Sequence, residues 1–326
     1  MPSNRASVLM VVLWILAILV IFAVGLGHRT AVFLSLAKYQ KDRLAAFYLA
    51  KAAVNLAIQE LTADNTRGCD CLNDNWADNE KVFKNIFFNE DKDNFASVSY
   101  SVKGRDAGEN KTIYGVMDED RKISISTTSP LGRRKLSELF KFMGLTENEA
   151  EGLKNIFVDW MSPGNGRLKT LEEALVILEY FYQKKGEYNY QGKAQEAFSR
   201  FKDLATIYSE DNRLNLNTVS EEVLAILAGA IAEDDAQKRS APALVSAILS
   251  LRQTKNCFTD LDELNEAIDS GNQNQVKLLE ALKANLKLTS SVFKIEATAK
   301  VKNVVRNIAV IYQRNSKSII GWHQSN

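Results

Sequence analysis

Asp118 and Asp120, with Glu119 between them, are the first residues in this chain whose type and spacing could do chemistry. Paired carboxylates serve general acid–base catalysis or hold a hard cation. Catalysis also needs a nucleophile or a perturbed base beside them, and their neighbours supply neither. Three cysteines offer a second chemistry: Cys69 and Cys71 form a Cys-x-Cys pair, and Cys257 lies far along the chain. A Cys69–Cys71 bridge would close a strained ring and leave one thiol over. The readings that stay open are structural thiols, one bridge to Cys257, and, on weaker grounds, a metal site. The two histidines, His28 and His323, stand near opposite ends, so a His-based metal site or catalytic dyad would have to join the chain ends. With 41 Lys+Arg against 40 Asp+Glu there is no global field to collect phosphate. These observations point to a non-enzymatic protein.

The elements that must position these residues begin with an apolar helix. From Ala6 to Gly27 no residue carries a charge, which is long enough to cross a bilayer. A cleaved secretory signal has an apolar region of only about 7–15 residues, and no cysteine follows that could make a lipoprotein. Arg29, Lys38, Lys41 and Arg43 follow the segment and Arg5 precedes it, so loop charge alone does not place the N-terminus in the cytoplasm. No Gly or Pro occurs between Arg29 and Leu61, and Leu44, Phe47, Val54, Ile58 and Leu61 recur on one helical face. The pattern predicts one helix of roughly 55 residues, about 80 Å long, with its second half laid on the folded body.

Residues 62–95 are rich in Asn and Asp and read as a loop with one short helix around Val82–Phe88. Ala96–Lys103 and Lys111–Asp118 alternate and predict a hairpin; Val292–Val301 and Val304–Gln313 predict a second. In the latter, Phe293, Ile295, Ala297, Ala299 and Val301 share a face, so four strands form one antiparallel sheet with a dry side for the N-terminal helix. Between the hairpins the chain is mostly helical and repeats itself. Glu119–Ser129 (EDRKISISTTS) aligns without gaps with Glu210–Ser220 (EDNRLNLNTVS), and Leu168–Ala174 with Phe258–Leu264. Ser129-Pro130 offers an N-cap, and Thr146, Thr170 and Thr218 each precede a Glu three residues on, the capping-box spacing.

The second unit, Leu214–Gly229 followed by Ala243–Ile268, resembles a helix-hairpin-helix module, in which a glycine hairpin presents backbone N–H groups to a DNA phosphate. Here Ala228–Asp235 lacks the second glycine and ends in Glu233, Asp234 and Asp235, which repel phosphate. A helical protein-packing module is the favoured reading. The long helix, the run YGVMDEDRKISIS with Asp118, Glu119 and Asp120, the pair Asp159-Trp160, and LNLNT with Asn215, Asn217 and Thr218 together resemble the K-type minor pseudopilins of type II secretion over nearly the full length.

The resemblance implies an α+β fold: a long N-terminal transmembrane helix on a small antiparallel sheet (the pseudopilin fold), with a large inserted all-α domain holding two related strand–helix units. The expected division is a prepilin leader, 1–6; the N-terminal helix, 7–61, with 7–27 in the membrane; an αβ body, 62–123 and 290–314; the insert, 124–289, with repeats at about 119–175 and 210–268; and a tail, 315–326. The resemblance further implies a single-pass protein of the bacterial inner membrane, N-terminus cytoplasmic and body periplasmic. Prepilin peptidase would cut between Ala6 and Ser7, although the family's leader usually ends in Gly. Expected partners are the I-type and J-type minor pseudopilins, other pseudopilins, the peptidase and membrane lipid, and no nucleic acid. With Ser7 first, the fifth mature residue is Val11, where most pilin-like subunits carry a glutamate; its lack suits the fibre tip. No cofactor is required. Calcium is an optional ligand, because Met161–Asn165 replaces the family's acidic stretch and leaves Asp118, Glu119 and Asp120 as the remaining carboxylates. The alternative is a membrane-anchored helix-hairpin-helix DNA receptor for transformation.

Overall fold

The computed structural model describes residues 5–64, 68–86, 93–103, 110–126, 128–162, 168–268 and 271–325. Helix α1 (Arg5–Ala63) is continuous over 59 residues, about 88 Å at the usual rise. Its first half stands clear of the rest of the chain, with Val8, Val11, Trp14, Phe22 and Phe33 exposed. Its second half packs on the sheet through small residues: Ala46, Ala50, Ala53, Val54, Ala57 and Leu61 are buried. Leu44, expected on this face, is 57% exposed. The seam is an alanine stripe because a helix lying flat across a sheet approaches more closely over small side chains, and a pattern drawn from large apolar residues misses it.

After a short helix α2 (Glu80–Phe83) come β1 (Asn94–Val98), β2 (Tyr100–Lys103), β3 (Asn110–Ile113) and β4 (Met117–Asp118). The expected first hairpin is divided. Among the described residues β2 and β3 pair only with each other, whereas β1 and β4 both join the main sheet. Near the C-terminus, β9 (Val292–Val301), β10 (Val304–Gln313) and β11 (Ser318–Ser325) complete that sheet in the order β1-β9-β10-β11, with β4 beside β1 on the same edge of β9. The β9–β10 turn places Lys302 at φ 51°, and Lys302 Nζ pairs with Asp42 Oδ1 of α1 at 3.0 Å. Segment 315–326, expected as a tail, thus carries an edge strand. The dry face of β9 and β10 (Phe293, Ile295, Ala297, Ala299, Ile308, Val310, Tyr312) meets the alanine stripe. Trp76 closes its end, edge-on to Phe293 at 5.1 Å between ring centroids. A side chain at Gly115 would put its Cβ 2.1 Å from the Ala77 carbonyl oxygen, so only glycine fits this crossing.

The helical insert has its own core. Its first unit runs from β5 (Ile123–Ser124) through α3 (Pro130–Phe142), α4 (Glu147–Trp160), α5 (Glu173–Lys184) and α6 (Tyr190–Leu204) to β6 (Ala205–Thr206). The second runs from β7 (Leu214–Asn215) through α7 (Glu221–Ile231), α8 (Asp235–Lys255), a 3₁₀ segment (Leu261–Ala267) and α9 (Gln273–Lys283) to β8 (Leu286–Lys287). Each unit is closed by a two-residue parallel pair, β5 with β6 and β7 with β8. The sequence repeat therefore corresponds to two helical units, each with its first and last strands side by side. Ser129 caps α3, accepting from Gly132 N at 3.1 Å, and Thr146 forms the expected box with Glu149. Thr218 does not cap: Ser220 takes that place on α7, accepting from Val223 N.

Candidate functional site

Two parts of the molecule answer the residues singled out by sequence: the apolar helix and the junction that carries the insert. The helix contains Ala6 and Ser7 in its first turns and Val11 on an exposed face; residues 1–4 lie outside those described. It is the one helix among the described residues long and apolar enough to cross a membrane.

The junction forms where β4 ends beside β7 and the residues just before β9. Asp118, Asp120, Asn215, Thr218 and Ser290 are almost fully buried there. Asp118 Oδ2 accepts from Thr218 Oγ1 at 2.5 Å, Ser290 Oγ at 2.6 Å and Asn215 Nδ2 at 3.4 Å, while its Oδ1 accepts from Asp120 N at 2.8 Å. Asp120 Oδ2 accepts from Lys287 Nζ at 2.8 Å and from Ser291 N at 2.7 Å. Glu119 points the other way and pairs with Lys122 at 2.7 Å. Asn215 Nδ2 also donates to Ser290 Oγ at 2.7 Å and to the Asp70 carbonyl at 3.1 Å. Asp70 in turn accepts from Ser290 N at 2.6 Å and from Arg314 at 2.9 Å. Asn217 clasps the backbone of Phe258: its Oδ1 accepts from Phe258 N at 2.8 Å and its Nδ2 donates to the Phe258 carbonyl at 3.0 Å.

Burial, and then the neighbouring Asp120, push the Asp118 carboxyl up to about 7. Burial also raises Asp70 despite Arg314. Burial works against charge on Glu119 too, but Lys122, joined by Thr206 and Lys294, more than offsets it and holds that carboxyl below its ordinary value. Lys287 stays above its ordinary value because Asp120 and Asp211 outweigh its burial.

The donor set around Asp118 and Asp120 does not fit calcium. The ammonium of Lys287 already stands where a cation would, and the hydroxyls of Thr218 and Ser290 donate into Asp118. Of the carboxylate oxygens of Asp118 and Asp120, Asp120 Oδ1 lacks a hydrogen-bond partner among the described residues. Asp159 and Trp160 do not join this cluster. They end α4 at the surface, where Trp160 Nε1 donates to Glu173 Oε2 at 3.3 Å, and residues 163–167 beyond them lie outside those described.

Sequence reasoning missed Asp70, Lys287, Ser290, Ser291 and Arg314. Each lies in a loop or at a strand end without periodicity, and only the fold brings them to Asp118. The cysteines also converge: Cys71 and Cys257 form a disulfide, so the reading of all three as mere structural thiols gives way to the single-bridge reading. Gly229 lies within the last turn of α7, and a Cβ on it would stand 3.2 Å from Glu138 Oε2. A carboxylate thus stands beside the glycine that the resemblance to a DNA-binding module singles out. Asp234 caps α8, accepting from Gln237 N at 2.7 Å.

No protein-family model matches the sequence, and no curated protein matches it. The fold is similar to that of a chain in the crystal structure of the GspK–GspI–GspJ complex from the type 2 secretion system of enterotoxigenic Escherichia coli. The likeness has a TM-score of 0.57 at 14% identity and covers 90% of this chain and 98% of the other.

Proposed function

We propose that this chain is a K-type minor pseudopilin of type II secretion. It assembles with I-type and J-type partners at the tip of a pseudopilus and supports protein export across the outer membrane. The observation that carries this reading is a fold likeness that covers 90% of this chain and 98% of the other. The exposed first half of α1 supports a single-pass anchor, placed here in the inner membrane with the N-terminus cytoplasmic and the body periplasmic. Its role is structural. The acids at the junction are spent on protein donors, and the hydroxyls and ammonium beside them, from Thr218, Ser290 and Lys287, are themselves buried and donate into those acids. Val11 supports the tip position: without a glutamate there, the subunit has no carboxylate to compensate the terminal amine of a neighbour, and an uncompensated buried charge costs several kcal/mol.

Cross-linking from exposed α1 positions in cells tests this. One copy captured with I- and J-type partners is expected, and long homopolymers along the shaft would sink the tip assignment. Intact mass of the membrane-extracted protein should show a chain beginning at Ser7, with Val11→Glu giving no gain in assembly. The DNA-receptor reading is disfavoured by Glu138 beside Gly229. Duplex DNA should bind only in the non-specific range, roughly 10⁻⁴ M or weaker at physiological salt, and micromolar binding with a steep salt dependence would revive it.

A further inference from the structure

The disulfide Cys71–Cys257 joins the loop 68–79, which closes the sheet core through Trp76, to the turn after α8 in the insert. Cys69, half-buried and outside that bridge, has its Sγ 3.3 Å from the Sγ of Cys257. All three sulfurs lie within 4.8 Å of one another. The residue between the two loop cysteines is anchored on several sides. Asp70 N donates to the Leu288 carbonyl at 2.8 Å, its carbonyl accepts from Asn215, and its carboxylate accepts from Ser290 N and Arg314. Cys69 and Cys71 are therefore both held beside Cys257 without any rebuilding of the loop.

We propose that these cysteines form a thiol–disulfide exchange centre in which the bridge between body and insert alternates between Cys71–Cys257 and Cys69–Cys257. The Cys69 thiol gives its proton to solvent, and the thiolate attacks Cys257 Sγ. The Cys69–Cys257 bond forms as the Cys71–Cys257 bond breaks, and Cys71 leaves as a thiolate that takes up a proton. One disulfide is consumed and one formed, so no external oxidant or reductant is needed. Attack on Cys71 would instead close the strained ring across a single intervening residue. Both registers keep the insert tied to the sheet, so the cross-link survives the loss of either loop cysteine, and a thiol stays available for exchange with an outside partner.

The test uses the full chain extracted in detergent without reductant, held at mildly alkaline pH, quenched in acid and alkylated. It is then digested without reduction, and fragmentation across Asp70 separates label on Cys69 from label on Cys71. Label is expected on both loop cysteines and not on Cys257. In Cys69→Ser the Cys71 label should fall to background. In Cys71→Ser both remaining thiols should be lost to a Cys69–Cys257 bridge. Label confined to Cys69 in the unaltered protein overturns the proposal, as does a folded Cys71→Ser chain alkylated at both Cys69 and Cys257. The unaltered protein alone decides the matter if the variant fails to fold.

Discussion

The two helical units open with the same alternation, Ile123-Ser124-Ile125-Ser126 in the first and Leu214-Asn215-Leu216-Asn217 in the second. The apolar positions do the same work in both, since Ile123, Ile125, Leu214 and Leu216 are all buried in the insert core. The polar positions do not. Ser124 and Ser126 are short, and among the described residues their hydroxyls reach Asn212 Oδ1, at 2.6 and 3.2 Å, and each other. Asn215 and Asn217 carry an amide that both donates and accepts at longer reach. One ties the unit to Asp118, Ser290 and Asp70 of the sheet body, and the other clasps Phe258 across the unit. A repeat can thus preserve a core while one copy alone becomes the tether to the rest of the molecule.

Asn215→Ala should break this contrast most sharply. It removes a side chain that donates to three buried oxygens and accepts from Asn217 N at 2.9 Å. Buried polar groups left unpaired cost about 1–3 kcal/mol each, so a total loss of about 3 kcal/mol or more is expected, read as lost hydrogen-exchange protection across α7–α9. Ser124→Ala in the first unit should cost far less. Equal losses would mean that the second unit holds no special tether. Asn217→Ser, which installs the first unit's residue, should come next. A serine cannot span both backbone groups of Phe258, and a loss of about 2 kcal/mol is expected, centred on the 3₁₀ segment.

Much of this difference was hidden from the sequence. The long helix, the β9–β10 hairpin and the repeat were legible because each rests on local periodicity: uncharged length, strict alternation, and recurrence of one pattern. The LNLNT run was legible as a motif and, like Asp118, as one piece of a family resemblance, but nothing in the sequence said that the two would meet. What was not legible was long-range. Ser290 and Arg314 meet Asp118 and Asp70 only because β9 returns beside β4, and Thr218 looked like a helix cap because Glu221 follows at capping spacing. The alanine seam of α1 escaped for the opposite reason, since its signal is smallness in a region where larger apolar residues also recur.

The tether should also answer to pH, which sharpens the comparison because the first unit has no counterpart of Asp118. The Asp118 carboxyl titrates near 7 when folded, against an ordinary 3.8. The folded state keeps a proton that the unfolded chain releases, so this contribution is whole below about pH 4. It is lost as pH rises towards about 7 and is constant above that. One such group changes stability by up to about 1.4 kcal/mol per pH unit within that window. Asp118→Asn should remove this slope while adding a constant loss, because its amide meets donors that the carboxylate accepted. Stability measured from pH 4 to 8 for both proteins should diverge in slope, and parallel curves would remove Asp118 as the titrating group.

The smallest effect is expected in the first unit, from Ser126→Ala. Ser126 is half-buried, and the Asn212 oxygen it reaches at 3.2 Å also receives the shorter bond from Ser124 at 2.6 Å. Removing the Ser126 hydroxyl leaves no buried group without a partner among the described residues, since Asn212 keeps Ser124 and water reaches the vacated site. The cost should stay under about 1 kcal/mol, with hydrogen-exchange protection in α3 and α4 unchanged. A loss as large as that of Asn217→Ser would show that the serine positions are themselves a tether, and that the two units differ in the partner they bind and not in whether they are bound.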